Sequence, residues 1–250
     1  MASEGKIRIG IGGWTYPPWR GAFYPEKLPQ TKELEYASRH LGAIEINATF
    51  YSRQSPKSWE KWANTAPDDF KFTVKGSRFC VTRSRLCEGA EGIGNFFAQG
   101  FSALGPKLGP VMWQLAARRQ FDRDDIAGFI DLLPIEISGV ALTHAIEPRH
   151  ESFRDERFFE LCRDRNIAVV LDDSDKYPAI EADTADFTYA RLQRMREEMA
   201  TGYDGDALHG FARLARDTVK TGRDAYVFMI NGAKVRAPAA ALALQERLGI

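Results

Sequence analysis

Apolar residues in this chain gather into eight short runs rich in β-branched and aromatic residues: IRIGI (7–11), AIEIN (43–47), FKFTVK (70–75), PVMWQL (110–115), LTHAIE (142–147), AVVLD (168–172), FTYARL (187–192) and AYVFMIN (225–231). Each has the length of a strand. Most of the intervals between them carry helical spacing and a start signal. Ser55 and Pro56 read as an N-cap and first-turn proline ahead of Trp59, Trp62 and Ala63, and Asp122 caps a stripe of Ile126, Phe129, Ile130 and Leu133. Further stripes join Phe158, Phe159, Leu161 and Cys162, then Leu208, Phe211, Leu214 and Ala215, and Pro238 opens a last helix. Strand and helix thus alternate eight times, which predicts one α/β domain over residues 1–250, a (β/α)8 TIM-type barrel; a doubly wound open sheet is the competitor and usually has fewer parallel strands. The connection DSDKYPAIEADTAD between strands six and seven lacks apolar periodicity and is expected to be irregular. Gly89, Gly92, Gly94 and Gly100 are expected to delay the helix after strand three until near Phe96.

Composition narrows the function classes. Lysine plus arginine and aspartate plus glutamate both total 34, so attraction to nucleic acid or an anionic membrane must come from local clusters. The opening MASEGKIRIGIGG has no secretory pattern and no apolar run is long enough to span a bilayer, so a cytoplasmic protein without a membrane partner is expected. Cys80, Cys87 and Cys162 form no Cys-x-x-Cys pair and read as reduced thiols.

The chemistry is expected where the strands end, because barrel active sites lie at their C-terminal edge. Period-two alternation aims Glu45 and Asn47, Lys75 with Thr73 beneath it, Gln114, Glu147, Asp172 or Asp173, Arg191 and Asn231 inward, and turns Ile44, Ile46, Val74, Trp113, Leu115, Ile146, Leu192 and Ile230 toward the helices. Gly10 and Gly12 would leave room for a ligand. Burying one unpaired ion costs several kcal/mol, so these charges must be paired, hydrated or ligand-bound; a structural ion-pair layer is the alternative to a site. In IEPRHES (146–152), Glu147 would act as base or metal ligand, Arg149 would orient an anion and His150 would transfer a proton, whereas His144 reads as structural. Glu45, Glu147, Asp172 and Asn231 could hold Mg²⁺ or Mn²⁺ through oxygen ligands, and four histidines are too few for a multi-zinc cluster. A Schiff base on Lys75 ranks low, since nearby carboxylates are expected to keep it protonated.

Anion-binding features accompany these residues. KFTVKGSRFCVTRSRLC (71–87) holds Lys71, Lys75, Arg78, Arg83 and Arg85 without an acid, and Arg194, Arg196, Lys234 and Arg236 follow strands seven and eight. In GGWTYPPWRGAFYP, Trp14 and Tyr16 are the candidates for stacking on a base or sugar.

GGWTYPPWRGAFYP, EINATFY, FKFTVK, GPVMWQL, EPRHESF, LDDSDKYP, TADFTYARL and FMINGAKVRAP, in this order over almost the whole chain, resemble the bacterial YecE-like family. The resemblance implies a TIM-type barrel and supplies no reaction; a likeness to barrel endonucleases acting at abasic sites is one of fold. Arg83 and the pair Gln193-Arg194 depart from the family pattern, which has histidine at the first and often His-Gly at the second. The leading expectation is an enzyme acting on a phosphate-bearing or otherwise anionic substrate, with nucleic acid among the candidates, by acid–base or metal-assisted hydrolysis. Glu45, Lys75, Glu147, His150 and Asp172 would carry the chemistry, and Trp14, Tyr16, Asn47, Arg78, Gln114, Arg149, Arg191, Asn231 and Lys234 the binding. A carbohydrate isomerase, epimerase or hydrolase, or a non-catalytic binding barrel, are the alternatives.

Overall fold

The computed structural model describes residues 5–250. The eight apolar runs become the staves of one parallel sheet: β1 (Ile7–Gly12), β2 (Ala43–Ile46), β3 (Lys71–Lys75), β4 (Leu108–Gln114), then, past a small antiparallel hairpin of β5 (Glu136–Ile137) and β6 (Val140–Ala141), β7 (His144–Glu147), β8 (Ile167–Val169) with β9 (Leu171–Asp173), β10 (Phe187–Leu192) and β11 (Asp224–Met229). β8 and β9 are two halves of a single stave interrupted at Val170. The first half pairs with β7 and the second with β10, and Val170 N donates to Ile146 O at 2.9 Å, so the sheet closes into a TIM-type barrel.

Helices cover the outside: α1 (Glu33–His40), α2 (Ala48–Tyr51), α3 (Pro56–Thr65), α4 (Arg78–Val81), α5 (Ala90–Phe97), α6 (Arg123–Asp131), α7 (Glu156–Asp164), α8 (Gly205–Lys220) and α9 (Ala237–Leu248). Ser55 caps α3 by accepting from Ser58 N, and Asp122 caps α6 by accepting from Asp125 N. α5 starts at Ala90, ahead of the position near Phe96 that its glycines suggested. Burial of Ile93, Phe96 and Phe97 outweighs the cost of Gly92 and Gly94, about 1 kcal/mol each. No helix follows β9. Residues 174–186 run as an irregular connection, pinned where Thr184 Oγ1 donates to Ile167 O at 2.7 Å and accepts from Val169 N at 3.1 Å. Among the described residues no helix is long and apolar enough to cross a membrane.

Alternation divides the side chains between two layers. Ile44, Ile46, Val74, Trp113, Ile146 and Leu192 pack toward the helices, while Ala43, Met112, Ala145, Val170, Tyr189, Phe228 and Ile230 fill the barrel. Ile230 therefore faces inward, contrary to its expected place. Tyr226, Phe228 and Ile230 share the inner face, and a one-residue slip exchanges the two faces of a strand. Asn231 consequently lies beyond the strand, exposed, with φ 59. Gly10 leaves no room for a ligand either, since a Cβ there would lie 2.9 Å from the Phe228 ring.

Candidate functional site

The last inward residues of six staves, Glu45, Lys75, Gln114, Glu147, Asp172 and Arg191, meet at the C-terminal mouth of the barrel. Register sets Arg191 beside Asp172 and Gln114 beside Glu147. Arg191, fully enclosed, lies between two buried carboxylates. Its Nε and Nη2 donate to Glu45 Oε2 and Oε1 at 3.1 and 3.0 Å, and Nη1 donates to Glu147 Oε2. Tyr189 OH donates to Glu45 Oε2 at 2.8 Å and lies 2.9 Å from Thr73 Oγ1. Gln114 Nε2 reaches Glu147 at 3.0 and 3.2 Å, and Arg149 Nε donates to Glu147 Oε1. All four carboxylate oxygens thus have donors, which is what makes their burial tolerable.

This saturation also tests the divalent cation. Two guanidiniums already neutralise Glu45 and Glu147, and a metal ion would have to displace them against their charge. As arranged, these residues do not fit Mg²⁺ or Mn²⁺, and among the described residues no group of three or more His, Cys, Asp or Glu is placed to hold a metal.

Asp172 is the less satisfied acid. Its Oδ1 accepts from Gln193 Nε2, whose Oε1 accepts from Asn231 Nδ2 at 2.9 Å, while its Oδ2 is buried without a partner. Burial and the Glu147 charge push the Asp172 carboxyl up to about 7, against the pull of Arg149 and Arg191. Burial alone would raise Glu147 too, but Arg191, Arg149 and Lys75 outweigh it and hold that carboxyl well below the usual range. Arg191 stays charged because Glu147 and Glu45 more than offset its desolvation.

Lys75 reverses its expectation. Burial first, then the Arg191 guanidinium, lower its ammonium to about 8, and Glu45 and Glu147 only partly oppose them. Those carboxylates are committed to arginines, and Lys75 Nζ donates instead to Gln114 Oε1 at 3.0 Å, with the Phe50 ring centroid 4.5 Å away.

Beside this array a cleft of about 410 Å³ opens between the ends of β1, β2, β3 and β11. Trp14, Trp19, Asn47, Tyr51, Lys75, Asn231 and Lys234 line it, with no carboxylate among the lining residues. Gly12 borders the floor, where a Cβ would meet Ile230 at 2.8 Å and Asn47 at 2.9 Å. Trp14 is held edge-on by Trp62 at 5.0 Å between centroids. Tyr16 is not among the lining residues; it packs on Trp19 and carries Lys234 Nζ 4.8 Å above its ring.

The other candidates stand apart. His150 caps the single turn Glu151–Phe153: Ser152 N donates to its Nδ1 at 3.2 Å, so its polar contacts are local. His144 is structural as expected, receiving Trp113 Nε1 at 3.2 Å. Arg78 is exposed over Phe79, and Arg194 pairs with Asp173 and Asp175. Lys71 Nζ donates to Pro106 O at 2.6 Å, and Arg236 Nε to Glu197 O at 2.8 Å. Of the two basic segments, only Lys75 and Lys234 line the cleft.

Sequence reasoning missed Tyr189, Gln193 and Tyr177, whose ring lies 4.0 Å from the Arg149 guanidinium. Tyr189 shares the inner face with Arg191 and was legible by the same alternation. Tyr177 lies in the irregular connection, where no periodicity exists to read.

The profile of the family described as "Protein of unknown function DUF72" matches residues 8–250. The UPF0759 protein YunF of Bacillus subtilis (strain 168) is 36% identical over 69 residues, which span 28% of this chain and 23% of that relative's length. A DUF72 family protein from Thermotoga maritima is similar in structure with a TM-score of 0.81 at 22% identity, over 98% of this chain and 100% of that one. A second, from Enterococcus faecalis, gives 0.75 at 15% identity, over 98% and 96%. At these identities the structural likeness concerns the fold.

Proposed function

The chain belongs to the DUF72 family, whose function is unknown, and from that premise we propose that it is an enzyme acting on a small phosphate-bearing substrate by acid–base chemistry at the mouth of the barrel. The observation that carries this reading is a cleft lined by Lys75 and Lys234 and by no carboxylate, in which burial lowers the Lys75 ammonium to about 8. Its volume suits a small molecule. Lys234 and Lys75 attract the anion, Asn47 and Asn231 orient it, and Trp14 with the 65% exposed Tyr51 offers a flat apolar wall. Lys75 exchanges protons with the substrate, and Asp172 acts behind it, joined to the cleft residue Asn231 through Gln193. Glu45, Glu147, Gln114 and Arg191 are positioning residues, since their polar atoms are committed to one another or to Lys75, and Arg149 braces Glu147 through Nε. We further propose, on the quoted run of motifs, that the chain is a YecE-like member of this family.

Titration calorimetry with inorganic phosphate and a short phosphate monoester tests the anion site. Affinity is expected to fall several-fold between about 0.05 and 0.2 M salt. Lys234→Met is expected to weaken it by about tenfold or more, the scale of one charge-assisted hydrogen bond. Affinity indifferent to both salt and Lys234 overturns the reading.

A further inference from the structure

We propose that Lys75 is the nucleophile of this site and that its substrate is an aldehyde or ketone, held as a Schiff base on Nζ. Lys75 is the last residue of β3, and its side chain is buried along its length while Nζ borders the cleft. Its one hydrogen bond goes to the neutral amide oxygen of Gln114, and among the described residues no carboxylate lies within ion-pair distance. The acids that could have held it as an ammonium ion, Glu45 and Glu147, are taken by Arg191 and Arg149. Gln114 itself is oriented by Glu147, which accepts from its amide nitrogen, so the acceptor facing Lys75 is fixed as an oxygen. Desolvation beside a second fixed cation is an established way to keep a lysine amine nucleophilic. With the ammonium lowered to about 8, roughly one Lys75 in ten is neutral at pH 7, several hundred-fold more than for an ordinary lysine.

The step balances without a redox partner. The neutral amine adds to the carbonyl carbon to give a carbinolamine, and the hydroxyl then leaves as water, which carries away both amine hydrogens and leaves the C=N bond. Lys234 lines the same cleft, its Nζ over the Tyr16 and Trp19 rings and without an ion-pair partner among the described residues, and would receive a phosphate on the substrate's other end. That choice of a phosphorylated carbonyl compound rests on the anion site proposed above; the amine chemistry does not.

The test is reductive trapping on the full chain. The protein is incubated with glyceraldehyde 3-phosphate, or with glyceraldehyde, in the presence of cyanoborohydride, and the adduct is located by peptide mass mapping. The expected result is one dominant adduct on Lys75, with a yield that rises as pH approaches about 8. The groups that set this dependence are Arg191, Glu45, Glu147 and Arg149. Lys75→Arg and Lys75→Met should lose the adduct and Lys234→Met should keep it on Lys75. Mapping of the unsubstituted chain decides the matter even where a variant fails to fold. Scattered labelling of exposed lysines, labelling of Lys234, or no adduct overturns the proposal. Equal trapping of glyceraldehyde and its phosphate keeps the Schiff base and removes the phosphate reading. Phosphate binding with no adduct does the reverse.

Discussion

Glu45 and Glu147 would repel one another across the barrel mouth if the buried Arg191 guanidinium did not bridge them. Removing one member of a buried ion pair leaves the other charge unsolvated and costs about 3–5 kcal/mol, and here two carboxylates would be stranded. Arg191→Met is therefore expected to destabilise the chain by at least that amount in urea unfolding, a large share of the roughly 5–15 kcal/mol a domain possesses. The triple variant E45Q/E147Q/R191M should recover most of the loss, because neutral side chains need no counter-ion. A loss below about 1 kcal/mol for the single variant would mean that the array is hydrated and contributes little. The inward placement of all three residues was legible from the sequence by alternation alone. Their partners were not, since Arg191 and Glu45 are 146 positions apart.

At the scale of elements, the turn out of β3 shows how packing of one strand positions chemistry on another. A Cβ on Gly76 would lie 2.2 Å from the Trp113 ring, which is fully buried between β4 and the helices. Gly76 N donates to Met112 O at 2.8 Å, fixing the chain immediately after Lys75. Gly76→Ala must displace either the indole or the β3 end, and we expect a cost of about 1–3 kcal/mol in urea unfolding together with a change in phosphate affinity. Unchanged stability would show that the Trp113 pocket yields freely. Caps such as Ser55 and Asp122 were readable before the structure because capping depends on neighbouring residues. The start of α5 and the inward turn of Ile230 were not, because burial against distant residues decided the first and the end of pairing beside β1 and β10 the second.

Over the whole molecule, charge burial makes stability depend on pH in opposing ways. Asp172 is raised from 3.8 to about 7, so between these values the folded chain retains a proton that the unfolded chain has released. Its contribution is full below about 3.8 and is lost as pH rises through about 7. His144 is lowered from 6.5 to about 4 by burial, so its contribution is present above 6.5 and is lost as pH falls through about 4. Wild type minus Asp172→Asn isolates the first effect, and this difference in unfolding free energy should decline between about pH 5 and about pH 8. A flat difference would show that Asp172 titrates as an ordinary exposed acid, and one that grows with pH that its carboxyl is lowered on folding.

The sequence by itself determined the eight staves, the layer most strand side chains join, most helix starts and the irregular passage after β9, because these follow from periodicity and from interactions between near neighbours. Tertiary structure alone decided which acid pairs with which cation, which two lysines reach the cleft, and that the Lys75 ammonium is lowered rather than raised. Pairing and desolvation depend on distance through space, and the barrel brings together residues that the chain keeps far apart.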